Sequence, residues 1–165
     1  MNMRSRRSST SAVLLTIGFL VLAVGTVGVT IGMSNLGGNG YPRSQVVVEN
    51  LLQVLAFMAL AAGWWWLSSG LSRVVSSEAL AARGTLLLAI ASLLFAGSYG
   101  MQAAVEERAF NPSLTYHLLL GSMLIQTAGA VVVAIGFVAT FLAHGRREGA
   151  PAAAEQVAAV PNEVH

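Results

Sequence analysis

The stretch "YHLLLGSMLIQTAGAVVVAIGFVATFLA", residues 116–143, contains no Asp, Glu, Lys or Arg. It is longer than the roughly 20 apolar residues that an α-helix needs to cross the hydrocarbon core of a bilayer. Three more stretches of this kind lie upstream, at about residues 12–33, 46–71 and 84–105. The connectors between them carry chain-breaking residues, among them Pro42 and the Asn111-Pro112 pair. The sequence therefore predicts an all-α integral membrane protein with four spans.

The composition agrees with a chain embedded in lipid. Hydrophobic residues make up 55% of the sequence and charged residues 10%, with a mean hydropathy of +0.69, whereas a soluble domain carries about 25% charged residues. The absence of Cys excludes disulfides, thiolate metal sites and dithiol redox chemistry. The net charge is only +2, and the arginines flank the spans, so we expect the lipid bilayer and not nucleic acid as the partner. The Arg-only, Ala- and Val-rich composition is typical of a bacterial chain.

The arginines predict how the spans are oriented. Most of the nine basic residues precede span 1, separate spans 2 and 3 or follow span 4: Arg4, Arg6, Arg7, Arg73, Arg83, Arg146 and Arg147. The other two connectors hold only Arg43 and Arg108. Because cytoplasmic loops carry the excess of positive charge, both termini are expected in the cytoplasm and the protein in the plasma membrane. The spans then run up and down in antiparallel order. Residues 1–11 are expected to form a basic cytoplasmic N-terminus, and residues 144–165 a disordered cytoplasmic tail.

The N-terminus leaves an alternative open, because "MNMRSRR" followed by an apolar run also resembles a secretory signal. The apolar region of a signal peptide has about 7–15 residues and ends at a small-residue cleavage site. The run in span 1 is longer, and "GMSNLGG" after it has no A-x-A pattern. We therefore expect span 1 to be a retained anchor.

Three consecutive tryptophans, Trp64, Trp65 and Trp66, lie near the predicted cytoplasmic end of span 2. Successive residues of an α-helix point about 100° apart, so one packed face cannot hold all three rings. Indole rings favour the headgroup level of a bilayer, which surrounds the helix on every side. The cluster is predicted to anchor the helix at the membrane surface. The alternative is an aromatic cage or a docking face for a lipid or a partner subunit.

Small residues recur along two spans at spacings that let helix backbones approach each other closely. The glycines concerned are Gly18, Gly25, Gly28 and Gly32 in span 1, and Gly129 and Gly136 in span 4. We expect these seams to point into a compact four-helix bundle of residues 12–143. The seam of span 1 would serve equally well as the face of a homodimer.

Polar side chains cluster toward the predicted outer ends of the spans: Glu49, Gln53, Gln102, His117 and Gln126. Polar residues in membranes are candidates for function, and these five would line an outward-facing ligand pocket. The alternative is structural, with wetted groups at the interface and glutamines that bridge helices.

No metal site, cofactor site or catalytic group is predicted. His117 and His144 lie on the same predicted helix, roughly 40 Å apart by helical rise, so they cannot ligate one haem. The expected function is a non-catalytic accessory or scaffold subunit that packs against other membrane components, as a homo-oligomer or within a larger complex. The alternative function is binding or transport of a small ligand or a lipid-like substrate.

Overall fold

The computed structural model describes the backbone of residues 3–34, 43–71, 76–107 and 111–158, and the side chains of residues 10–25, 44–71, 78–107 and 111–145. These residues form four α-helices and no strand, so the all-α prediction is confirmed. The helices are α1 (Met3–Ser34), α2 (Arg43–Gly70), α3 (Ser76–Glu107) and α4 (Pro112–Ala158).

Three of the helices are long and apolar enough to cross a membrane, over Ser44–Gly70, Glu78–Glu107 and Pro112–Gly145. This confirms that α2, α3 and α4 have the length and apolar composition predicted for membrane spans. In α1 the apolar part with described side chains is shorter, Thr10–Gly25. The remainder of the predicted first span lies outside the described side chains, so a crossing by α1 stays a prediction.

Local sequence explains where α4 begins. The side-chain oxygen of Asn111 accepts a hydrogen bond from the backbone N–H of Ser113 at 3.0 Å, which is the usual role of Asn at a helix N-cap. Pro112 follows at the first helical position, where a missing N–H costs nothing. At its other end α4 continues to Ala158, whereas disorder was expected from residue 144. The segment is rich in Ala, the strongest helix former, which favours continuation of the helix.

The helices contact each other in chain order. α1 contacts α2, α2 contacts α3 and α3 contacts α4, and no other pair of helices is in contact within the described residues. Between α1 and α2, Gly63 lies against Leu15 and Gly18 against Leu60. Contacts therefore move toward the C-terminus of α1 as they move toward the N-terminus of α2.

The same reversal holds for the other two pairs. The Ser68 hydroxyl of α2 donates a hydrogen bond to the backbone oxygen of Ala82 in α3 at 2.9 Å. Phe57, nearer the N-terminus of α2, stacks on Tyr99, nearer the C-terminus of α3. Gly84 lies against Gly136 and Ser98 bonds to Ser122. The contacts thus define two ends. We call residues 10–15, 63–71, 78–86 and 136–145 the tryptophan end, and residues 25, 45–54, 98–107 and 111–126 the glutamine end.

The row of helices bends at α2. Ala56 and Leu60 face Gly18 of α1, whereas Phe57 stacks on Phe95 of α3 with ring centroids 5.0 Å apart. One residue turns a helix by about 100°, so α1 and α3 occupy different faces of α2. A closed four-helix bundle would also bring α4 to α1. Because no such contact is present in the described residues, the bundle is not confirmed and the arrangement is an open one.

Candidate functional site

The polar residues of the glutamine end lie at a common level across the helices. Val54 of α2 faces Gly100 of α3, and Gln102 of α3 reaches Ser122 of α4. Gln53 precedes Val54, and Gln102 follows Gly100 by two residues. Gln53 and Gln102 are therefore at similar heights along the helix axes, but similar height alone does not bring their side chains into one site.

Gln53 lies at the interface between α1 and α2. Gln53 is only 7% exposed, and a Cβ added to Gly25 would lie 2.9 Å from its Nε2 atom. The side-chain amide of Gln53 therefore occupies space that is open because residue 25 has no side chain. The Oε1 atom of Gln53 is buried and has no hydrogen-bond partner in the described residues. An unpaired buried acceptor costs about 1–3 kcal/mol, so this atom is the least satisfied polar group of the glutamine end.

Glu49 precedes Gln53 by one turn on α2 and is 9% exposed. Gln45 Nε2 lies 3.5 Å from Glu49 Oε1, at the long limit of a hydrogen bond. Carboxylates are rarely this buried without a partner, and Glu49 has interactions beyond this one. Glu49 and Gln53 thus form a polar stripe on α2 along its side next to α1.

A second polar group lies between α3 and α4. Ser98 Oγ donates to the backbone oxygen of Ser122 at 3.1 Å, and Gln102 Nε2 donates to Ser122 Oγ at 3.3 Å. Ser122 Oγ in turn donates to the backbone oxygen of Leu119 at 2.9 Å. Ser98 and Ser122 are almost fully buried. These bonds bridge two helices, so their role is to hold α3 against α4. Gln126 lies one turn beyond Ser122 and is half-buried.

The predicted pocket residues are therefore distributed over two interfaces. Gln53 and Glu49 lie beside α1, Gln102 bonds to α4, and no hydrogen bond in the described residues joins the two groups. His117 is exposed and meets the ring of Tyr116 edge-on, with centroids 5.7 Å apart. Nor do the side chains described here bring together three His, Cys, Asp or Glu residues able to hold a metal ion.

The glycines of α4 lie on its contact with α3. A Cβ on Gly129 would meet the Phe95 ring at 3.2 Å, and one on Gly136 would meet the Gly84 oxygen at 3.0 Å. Gly18 and Gly25 lie against α2. Gly28 and Gly32 fall outside the described side chains.

Among the described glycines, Gly84 comes closest to the backbone of a neighbouring helix, although it is not one of the glycines predicted to pack. A Cβ on Gly84 would lie 2.8 Å from the backbone oxygen of Gly136 and 3.0 Å from the backbone nitrogen of Thr140. Gly84, Ala91 and Ser98 are seven residues apart, and all three are buried. The same spacing separates Ser122, Gly129 and Gly136 on α4. This seven-residue spacing, which α3 shares with α4, is the feature of the sequence that indicates Gly84 as a packing residue.

The tryptophan end presents a different surface. Trp65 and Trp66 are exposed and Trp64 is half-buried, and their role as interfacial anchors stays a prediction. A cavity of about 240 Å³ lies at the same end, between α2 and α3. Its lining residues are Ser68, Ala79, Ala82, Arg83 and Leu86. A shallower and almost wholly apolar depression lies on α4 around Phe137, Phe141 and His144.

Comparison of this chain with family models, with curated proteins and with solved structures finds no match.

Proposed function

We propose that the protein is a multi-pass protein of the plasma membrane, with antiparallel spans and both termini in the cytoplasm. The reversal of contacts between successive helices supports alternating directions. Seven of the nine arginines precede span 1, separate spans 2 and 3 or follow span 4 in the sequence. They therefore lie within or next to the chain segments of the tryptophan end, which supports a cytoplasmic position for that end.

Reporter fusions test the orientation. A cytoplasm-active reporter joined after residue 147 should be active, and one inserted in the connector at 35–42 should be inactive. A reporter active only outside the cytoplasm should give the reverse pattern. Cytoplasmic activity at the 35–42 connector would contradict the proposed orientation.

We further propose that the protein is a non-catalytic accessory or scaffold subunit that packs against other membrane components. The open arrangement is the observation that carries this proposal: within the described residues α1 contacts only α2, and α4 contacts only α3. Of the most apolar window of α4, 11% of the residues are buried, against 44% in α3. Most of the surface of α4 is thus available to lipid or to a partner.

The buried hydroxyls also favour a structural role. Ser68, Ser92 and Ser98 each donate to a backbone carbonyl at 2.8–3.1 Å, and Thr85 does the same. A hydroxyl that donates its proton to a carbonyl is satisfied and is not paired with a base. Ser68 and Ser98 therefore tie neighbouring helices together, as interhelical hydroxyl bonds do in membranes. Ser92 and Thr85 are satisfied within α3 itself.

Photo-crosslinking in native membranes tests the scaffold proposal. The probe amino acid replaces Val131 or Val138, which are exposed on α4, and in a control Leu55, which is exposed on α2. A partner seated on α4 gives a discrete protein adduct at positions 131 and 138 and none at position 55. Lipid adducts alone at all three positions, and at Val13 and Leu20 of α1, would refute a partner on either flank.

A second function, binding of a small or lipid-like ligand at the glutamine end, is favoured by one observation. The Oε1 atom of Gln53, which has no hydrogen-bond partner among the described residues, is an acceptor that a ligand donor would satisfy. The test is mass spectrometry of small molecules that co-purify with the protein in mild detergent. A species present with the wild type and lost in Gln53→Leu would support the ligand site. Identical spectra for the two proteins would contradict it.

A further inference from the structure

The cavity at the tryptophan end has an unusual combination of position and chemistry. Ser68 lies opposite Ala82, so the three tryptophans, one turn away on α2, are level with about residues 84–86 of α3. Indole rings concentrate where hydrocarbon meets headgroups. The cavity, which is lined by Ala82, Arg83 and Leu86, therefore lies at the depth of lipid phosphates and glycerol.

The described lining residues combine one cationic side chain with Ser68 and three apolar residues. Arg83 is the one charged residue among them and is exposed, and it makes no ion pair within the described residues. Its guanidinium group carries donors in a planar fork that matches two phosphate oxygens. The Ser68 hydroxyl already donates to the carbonyl of Ala82 at 2.9 Å. Phosphate recognition therefore falls to Arg83.

The other lining residues suit the remainder of a lipid. Ala79 and Ala82 add little bulk to the lining, and Leu86 lies further from the start of α3 than the other lining residues of that helix. The volume of about 240 Å³ is far above the 10–15 Å³ that one water molecule requires. A phospholipid has the same order of groups: an anionic phosphate, which would face Arg83, and then the apolar carbons of the acyl chains, which would face Leu86.

We propose that this cavity binds the phosphodiester headgroup of an anionic phospholipid, with Arg83 as its cationic ligand and Leu86 beside the acyl chains. The assignment to the cytoplasmic leaflet, where anionic lipids are concentrated, rests on the orientation proposed above. The cavity and its lining do not depend on that orientation.

Native mass spectrometry of the full chain in detergent tests the site. The protein is titrated with phosphatidylglycerol and, separately, with phosphatidylcholine of the same acyl chains. A basic group near the surface contributes about fivefold to the binding of an anionic lipid. Arg83→Gln should therefore lose about fivefold in apparent affinity for phosphatidylglycerol, with little change for phosphatidylcholine.

Two further variants separate a built site from diffuse attraction. Ala79→Leu keeps every charge and fills the cavity from a half-buried position, so it should also weaken binding of phosphatidylglycerol. Arg108→Gln removes the same charge from the connector that follows α3, beyond the far end of that helix from Arg83, and should leave binding unchanged. Inorganic phosphate added as competitor should not displace the lipid, because the apolar lining contacts the glycerol and the acyl chains.

The proposal is overturned if Arg83→Gln or Ala79→Leu keeps wild-type affinity, or if Arg83→Gln and Arg108→Gln weaken binding equally. Full displacement by inorganic phosphate would assign the cavity to a free anion instead. Since the titration in detergent does not depend on which end faces the cytoplasm, its failure is distinguishable from failure of the reporter-fusion test.

Discussion

Replacement of Gly84 by alanine should weaken the contact between α3 and α4 more than any other single methyl addition in α3. The new Cβ would lie 2.8 Å from the oxygen of Gly136, 3.0 Å from the nitrogen of Thr140 and 2.7 Å from Thr140 Cγ2. Two of these three atoms belong to the backbone of α4. A side chain can rotate away from a new methyl group, but a backbone atom moves only with its helix.

The size of the effect follows from these distances. Non-bonded carbon and oxygen atoms are normally at least about 3.3 Å apart and two carbons at least about 3.5 Å. The new Cβ would be closer than these limits by roughly 0.5–0.8 Å, so α4 must move away from α3 by that distance. Overpacking of this kind costs about 1–3 kcal/mol. The entropic gain from removing a glycine from a helix offsets about 0.5–1 kcal/mol of that cost. The free energy of unfolding should therefore fall by up to about 2.5 kcal/mol.

Gly97 provides the matched control in the same helix. It is exposed, and a Cβ there meets no atom within 4 Å, so Gly97→Ala should stabilise the protein by up to about 1 kcal/mol. Both variants make the same chemical change, and the difference between them isolates the steric cost, about 1–3 kcal/mol.

Reversible unfolding in mixed micelles, followed by circular dichroism as the fraction of denaturing detergent rises, measures both variants. Equal stabilities for Gly84→Ala and Gly97→Ala, or a more stable Gly84→Ala, would refute the close approach of α3 and α4.

Two further comparisons use the same assay. Gly18→Ala should destabilise the protein more than Gly25→Ala, by about 1 kcal/mol. A methyl group at position 18 meets Leu60 Cγ at 2.7 Å and the backbone oxygen of Ala56 at 3.1 Å, whereas one at position 25 meets only the end of the Gln53 side chain. A reversed order of stabilities would contradict the packing of α1 on α2. Ser98→Ala should lower the free energy of unfolding by about 0.5–1 kcal/mol through loss of an interhelical hydrogen bond. Thr127→Ala, which loses only an exposed bond within its own helix, should change it by less than about 0.5 kcal/mol, and equal losses for the two would remove the special role of Ser98.

The helices themselves were predictable because their cause is local. A run of apolar residues without charge forms a helix in lipid, since every backbone group must find its partner within the segment. The spans predicted at 46–71, 84–105 and 116–143 correspond to the apolar segments Ser44–Gly70, Glu78–Glu107 and Pro112–Gly145. The structural ends differ by a few residues because caps such as Asn111 and Pro112 set them.

The candidate sites were only partly predictable. Polar residues in apolar spans stand out in the sequence, but the direction in which each points depends on the neighbouring helix. Gln53 and Gln102 lie at similar heights, yet one lies beside α1 and the other bonds to α4. The cavity at Arg83 is lined by residues from the end of α2 and the start of α3, so the residue spacing along either helix alone does not indicate it.

The sequence by itself determined that the described chain is helical and that three helices are long and apolar enough for a bilayer, because hydropathy and length belong to each segment separately. Only the tertiary structure decided which small residues meet, that Gly84 lies against Gly136, and that α4 has no contact with α1 in the described residues. Small residues are frequent on several faces of these helices. The face that is used depends on how well two whole surfaces fit, which is a property of the pair and not of either segment.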